Sequence, residues 1–361
     1  MQNSGELRGD NMGFRKDFLD CLEGKAPEHF PLTEYMMFWP ECDGEYLPKM
    51  GGKTYSEYFG VQTILPVPCD FNPYPLFEEK ILGEDERHIT KTDALGITCT
   101  VEKNSSAMPH YIEFPIKDSD SFHRYAERLD AACEQRFAGL KAFDEWQKTQ
   151  DRPTQLTARG IFAFFRDFIK FDDLMFLFCD EPDLIAEMAQ FHGDFLLKLW
   201  GRALDFHVPD IVYFGEDMAY KSGPMISPAM VREFIFPHWK RVIAMLKSRG
   251  VKHIICDSDG NVMPILDLIT EAGFTCILPL ERAAGMDGEV VREKYPTLGM
   301  IGGVDKLELA KGDREIRREA EKAARLYRTG RYIPSCDHSV PPIVPFKNYA
   351  AYIRYIKEYC Q

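Results

Sequence analysis

HIICDSDG (253–260), followed by FTCILPLE (274–281), LGMIGGVD (298–305) and RYIPSCDHS (331–339), is the stretch that decides the fold. Each segment is a short, nearly continuous apolar run that ends in charged residues. Such runs suit strands buried on both faces, the usual state of a parallel sheet. Reading backwards, DIVYFGED (210–217) and LTARGIF (156–162) are built the same way. The segments between them carry helical spacing. The one after Ser227-Pro228 opens with a good cap and first-turn proline, bends at Pro237 and ends at Gly250. Residues 261–272 place Ile265, Leu266, Leu268 and Ile269 on one side and stop at Gly273. Residues 313–328 are amphipathic and end before Gly330.

Strand followed by helix, repeated, means parallel pairing through right-handed crossovers. Two further strands are expected upstream, HFPLTEYMMFW (29–39) and a short one near 62–67, which brings the count to eight. That number favours a closed (β/α)8 TIM barrel over an open doubly wound sheet. The absence of a GxGxxG or Walker-type loop points the same way. Residues 14–24 read as a helix closed by Gly24, and residues 119–148 as helical. Residues 62–118 are rich in Pro, Gly and aromatics and hold strand-like pieces at 95–101 and 110–116. They are expected to form an insertion with hairpin character within a single domain spanning 1–361.

Composition narrows the function. The chain has 361 residues, 45% of them apolar, and a formal charge of −13. That charge opposes nucleic-acid binding, and no basic stripe offsets it. No apolar run is long enough for a membrane span, and residues 1–13 are polar, frayed and unlike a secretory signal. Ten cysteines without CxxC pairs read as reduced thiols in a cytoplasmic enzyme.

The strand ends carry the chemistry: Glu216-Asp217, Asp257-Ser258-Asp259, Glu281-Arg282, Asp305-Lys306 and Asp337-His338. A barrel gathers such positions at one mouth. Carboxylates brought together there cannot all stay ionised alone. The mouth should bind a metal, take a cationic or hydrogen-bonding ligand, or hold a carboxyl with a raised pKa. Asp259 and Asp305 read equally well as helix caps. Asp257 lies on the face opposite Cys256, and Cys256 and Cys276 read as core thiols. His253 begins its strand and reads as structural. His338 is the best single acid/base or ligand candidate. Arg159 and Arg166 flank GIFAFF, where they pair with a substrate carboxylate or with nearby acids.

Four segments together resemble the uroporphyrinogen decarboxylase superfamily: GEDMAYKSGPMISPAMVREFIFPHWKRV (215–242), CDSDGNVMPILDLITEAGF (256–274), IGGVDKLELAKG (301–312) and IPSCDHSVPPIVPFKN (333–348). The resemblance is closest over 205–361 and extends through 90–200 and 25–70. It implies a (β/α)8 barrel, a small-molecule substrate and a homodimer. The corrinoid-linked methyltransferase branch implies a thiol-activating zinc enzyme with a corrinoid on a partner protein. Its ligand pair, ahead of a Gly-Asn, falls here on Asp257 and Asp259, and its later ligand falls on His338. The implied set is therefore Asp257, Asp259 and His338 around a divalent metal, zinc foremost, with Glu216 and Glu281 as acid/base or supporting groups. Asp217 and Asp305 would contact substrate. The decarboxylase branch implies no metal and an arginine clamp for carboxylates. The corresponding N-terminal stretch here, residues 31–48, has no arginine. Arg159, Arg166 and Arg282 would have to supply that clamp. The expected function is a metal-assisted methyltransferase, with two alternatives: a decarboxylase of a carboxylated ring, or a non-catalytic binding protein.

Overall fold

The computed structural model describes residues 13–105 and 108–361. Most of the stretch 1–13, read as frayed, lies outside the described residues. Among the described residues seven strands form one parallel sheet. In spatial order they are β1 (Leu65–Pro66), β2 (Thr154–Arg159), β3 (Ile211–Gly215), β4 (His253–Asp257), β5 (Cys276–Leu278), β6 (Gly299–Val304) and β7 (Tyr332–Cys336). The order in space is the order in sequence, as a strand–helix repeat with one hand of crossover requires. The short strand expected near 62–67 is β1.

Alternation divides each strand between two cores. Ile211, Ile255, Cys276, Leu278, Ile301 and Ile333 face inward and pack with Phe14, Phe18, Cys21 and Leu22. Those four lie on one side of helix α1 (Phe14–Glu23), which plugs the N-terminal end of the curled sheet. The outward residues, Ile254, Cys256, Ile277 and Met300 among them, join the larger cluster under the helices. The plug leaves the C-terminal end of the strands as the open end, where polar side chains collect.

The ladder does not close as an eight-stranded ring. The place between β1 and β7 is taken by residues 32–39, which touch each edge through one isolated parallel bridge, Thr33 to Gln62 and Phe38 to Val340. A turn interrupts the expected strand: Met37 donates its backbone N–H to the Glu34 carbonyl and sits at φ 59°. Side chains replace the missing ladder. The buried Glu34 carboxylate accepts from Ser335 Oγ at 2.6 Å, Cys336 N at 2.9 Å and Tyr349 Oη at 2.9 Å. The architecture is a curled seven-stranded half-barrel of α/β type, not the closed eight-stranded barrel the strand count predicts.

Other departures are local. Strand β2 stops at Arg159, and the run expected to continue it becomes helix α2 (Ile161–Phe168). Residues 119–148 are not one helix but Ser119–Ala126, a 3-10 turn and Leu140–Gln147. The expected bend at Pro237 is a π-helical turn, Val231–Ile235, leading into Phe236–Ser248. Proline lacks the N–H that an α-turn would use there. Between β1 and β2, the strands Lys80–Glu84, His88–Thr92, Thr98–Glu102 and His110–Glu113 form an antiparallel meander.

Candidate functional site

Inward-facing positions at the C-terminal ends of β2, β3 and β4 meet in a cavity of about 320 Å³. Thr157, Arg159, Arg166, Asp167, Tyr213, Asp217, Asp257 and Asp259 line it, with Met36, Phe71 and Ala163 as apolar wall. Parallel register sets the geometry, since Tyr213 pairs with Ile255 and Gly215 with Asp257. Tyr213 and Asp257 therefore share the inner face, and the Tyr213 hydroxyl donates to the Asp257 carboxylate. Burial lifts the Asp257 carboxyl to about 7. The charges of Asp259 and Asp217 push the same way, against the pull of Tyr213 and His338.

A chain of alternating charge forms one wall. Arg159 Nε donates to Asp167 at 2.8 Å, Asp167 accepts from Arg166 at 2.9 Å, and Arg166 pairs with Asp217. Arg159 also donates to Asn72 Oδ1 at 3.0 Å and lies over the rings of Phe71 and Phe168. Behind it, the buried His192 donates from Nε2 to the Arg159 carbonyl at 3.1 Å. Asp217 sits at φ 38°, a left-handed conformation costly for a non-glycine residue. Arg159 and Arg166 thus both engage nearby acids.

On the other side, His338 Nε2 meets Asp259 Oδ2 at 3.5 Å, and this contact raises the imidazole above its ordinary value. The second Asp259 oxygen is buried and has no hydrogen-bond partner. Thus Asp257, Asp259 and His338, distant in sequence, share one neighbourhood. Even so, no three His, Cys, Asp or Glu side chains among the described residues form a group that could hold a metal ion.

The remaining predicted residues stand outside the cavity. Glu216 is fully buried and accepts from the backbone N–H of Ile161 at 2.9 Å and of Phe162 at 2.8 Å, and from Trp239 Nε1. It caps α2, although burial lifts its pKa to about 7. Glu281 accepts from Gly260 N at 2.9 Å and so holds the turn that carries Asp259. Arg282 turns to Asp287 at 2.9 Å. Asp305 caps the helix Lys306–Leu309 through Leu307 N at 2.9 Å, the alternative weighed from sequence. The nearly fully buried Asp337 accepts from Lys306 Nζ at 3.0 Å and Arg282 N at 2.9 Å, tying two strand ends together.

Sequence reading missed Tyr213 and Asp167. Alternation along DIVYFGED places Tyr213 on the Asp257 side, so that signal was present. Asp167 gives none apart from adjacency to Arg166. A larger cavity of about 780 Å³ lies at the opposite end of the strands, beside His253, Thr275 and Arg331. Its Lys247 and Lys294 occupy the last turns of their helices, where a cation balances the helix dipole. His253 faces Glu23 there, away from the mouth, as expected.

The family model described as uroporphyrinogen decarboxylase (URO-D) matches residues 92–359. Among solved structures, a methyltransferase from Methanosarcina mazei superposes with a TM-score of 0.66 at 16% identity, over 96% of this chain and 99% of that one. A B12-independent methionine synthase from Shewanella sp. W3-18-1 gives 0.45 at 11% identity, over 84% and 83%. No curated protein matches the chain. Among the described residues no helix is long and apolar enough to cross a membrane.

Proposed function

The chain belongs to the uroporphyrinogen decarboxylase family, and from that premise we propose that it is a methyltransferase acting on a small molecule held in the mouth cavity, with Asp257 as proton donor. The observation that carries this reading is the Asp257 carboxyl, inside a 320 Å³ cavity and oriented by Tyr213. A methyl group bound to a heteroatom leaves readily only if that heteroatom departs neutral or protonated. Asp257 gives its proton to the heteroatom, the heteroatom–methyl bond breaks, and the methyl passes to a nucleophilic acceptor. Solvent then returns a proton to the carboxylate. Tyr213 holds the carboxyl in place, and Asp217 and Asp259 oppose its ionisation. The proposed acceptor, from the family resemblance, is a corrinoid on a partner protein.

The arginines on the wall favour a second reading, decarboxylation of a carboxylate-bearing ring. Both guanidiniums are already engaged by Asp167 and Asp217, which weighs against an anionic substrate. One experiment separates the two. Purified protein is mixed with free cob(I)alamin and a panel of O-, S- and N-methyl donors, and methylcobalamin is followed by absorbance; carbon dioxide release from uroporphyrinogen is measured in parallel. Methyl transfer that falls at least about 100-fold in Asp257→Asn supports the proposal. Carbon dioxide release without methyl transfer overturns it.

A further inference from the structure

The cavity's charges do not cancel, and the remainder identifies the ligand. Two guanidiniums and two carboxylates, Arg159, Asp167, Arg166 and Asp217, alternate along one wall and neutralise one another. Asp257, Asp259 and the His338 imidazole are left, two carboxylates against at most one positive charge. Asp257 accepts from the Tyr213 hydroxyl and lies in the field of His338. Asp259 meets His338 through one oxygen, and its other oxygen is buried with no partner. An anionic ligand would face both carboxylates, and the guanidiniums it could reach already have their charge offset by Asp167 and Asp217. A positively charged, hydrogen-bond-donating ligand satisfies both carboxylates without disturbing the wall. The chain's overall charge of −13 also favours the approach of cations over anions. The space is far too large for a bare ion, and Met36, Phe71 and Ala163 offer apolar contact.

We infer that the mouth cavity binds an organic ammonium ion, a small methylated amine whose charged nitrogen faces Asp257 and Asp259 and whose apolar part packs on Met36 and Phe71. This rests on the cavity being the reaction site proposed above, and it names the donor class. With an amine, the proton that Asp257 would supply resides on nitrogen and is shared with the carboxylate. The N–CH3 bond of the ammonium breaks, the methyl goes to the reduced corrinoid nucleophile, and a neutral amine departs. Atoms and charge balance, since a cation and an anionic nucleophile give two neutral products.

Isothermal titration of the full chain with three probes of similar size tests the inference: N,N-dimethylbenzylammonium, benzyl methyl ether and phenylacetate. The ammonium probe should bind at least about tenfold more tightly than the ether, with phenylacetate weaker still. Asp257→Asn and Asp259→Asn should each weaken the ammonium probe about tenfold or more, while circular dichroism and the unfolding midpoint show an intact fold. Three outcomes overturn the inference: phenylacetate binding more tightly than the ammonium, no ammonium binding up to millimolar concentration, or affinity unchanged in both variants. Stoichiometric zinc binding that blocks the probe overturns it too. The readout does not depend on turnover. Probe binding without methyl transfer removes the proposed reaction alone, and methyl transfer from an ether without ammonium binding removes the donor class alone.

Discussion

Asp257 carries a cost that only function explains. A carboxyl raised to about 7 by burial and by two neighbouring acids is less stable in the fold than an uncharged amide of the same shape. Asp257→Asn should therefore raise the thermal unfolding midpoint by a few degrees, roughly 1 kcal/mol of stability, while removing activity. A lowered midpoint in calorimetry would mean that the carboxylate serves structure. His192 and His238 show the opposite balance. Burial depresses each to about 4 from 6.5. Because the folded values lie below the unfolded one, the unfolded chain binds more protons between those limits, and stability falls as pH drops from 6.5 toward 4. The loss reaches up to about 3 kcal/mol for each histidine. Denaturant midpoints across pH 4–7 measure it, and His192→Phe should flatten part of the slope. A slope unchanged in that variant would assign the acid sensitivity elsewhere.

The elements were legible where packing is symmetrical. Runs such as HIICD and YIPSC are apolar on both faces, so their strands stand out, and their charged ends mark the mouth. The run LTARGIF reads as one strand but changes element at Gly160, because the apolar residues that follow suit a buried helix as well as a buried strand. Gly160 is required there: a Cβ at that position would overlap the Glu216 carboxyl that caps α2. Gly160→Ala should cost about 1–3 kcal/mol by overpacking, read as a lower denaturant midpoint, and should weaken probe binding because α2 carries Arg166 and Asp167. A neutral substitution would show that the cap yields. The polar contacts were less legible. Glu216 and Asp305 stand at strand ends like Asp257, yet both serve as caps, and only the direction of each side chain separates these roles.

At the scale of the whole molecule, ring closure is the feature that sequence could not supply. HFPLTEYMMFW has strand composition, but Met37 in a left-handed conformation breaks the ladder, and Glu34 ties the segment to β7 and to Tyr349 through its side chain. Glu34→Ala strands two buried hydroxyls and a buried N–H, and should cost about 3 kcal/mol, with loss of the cooperative unfolding transition between the first and last segments. The curled sheet brings Asp257, Asp259 and His338 into one neighbourhood, as the strand-end pattern implied. The most direct test of the account is the rate of methyl transfer to free cob(I)alamin in the wild type, Asp257→Asn and Tyr213→Phe, measured side by side on proteins with matching unfolding curves. The predicted result is a drop of about 100-fold or more for Asp257→Asn and a smaller drop for Tyr213→Phe. Equal rates in all three would contradict the account.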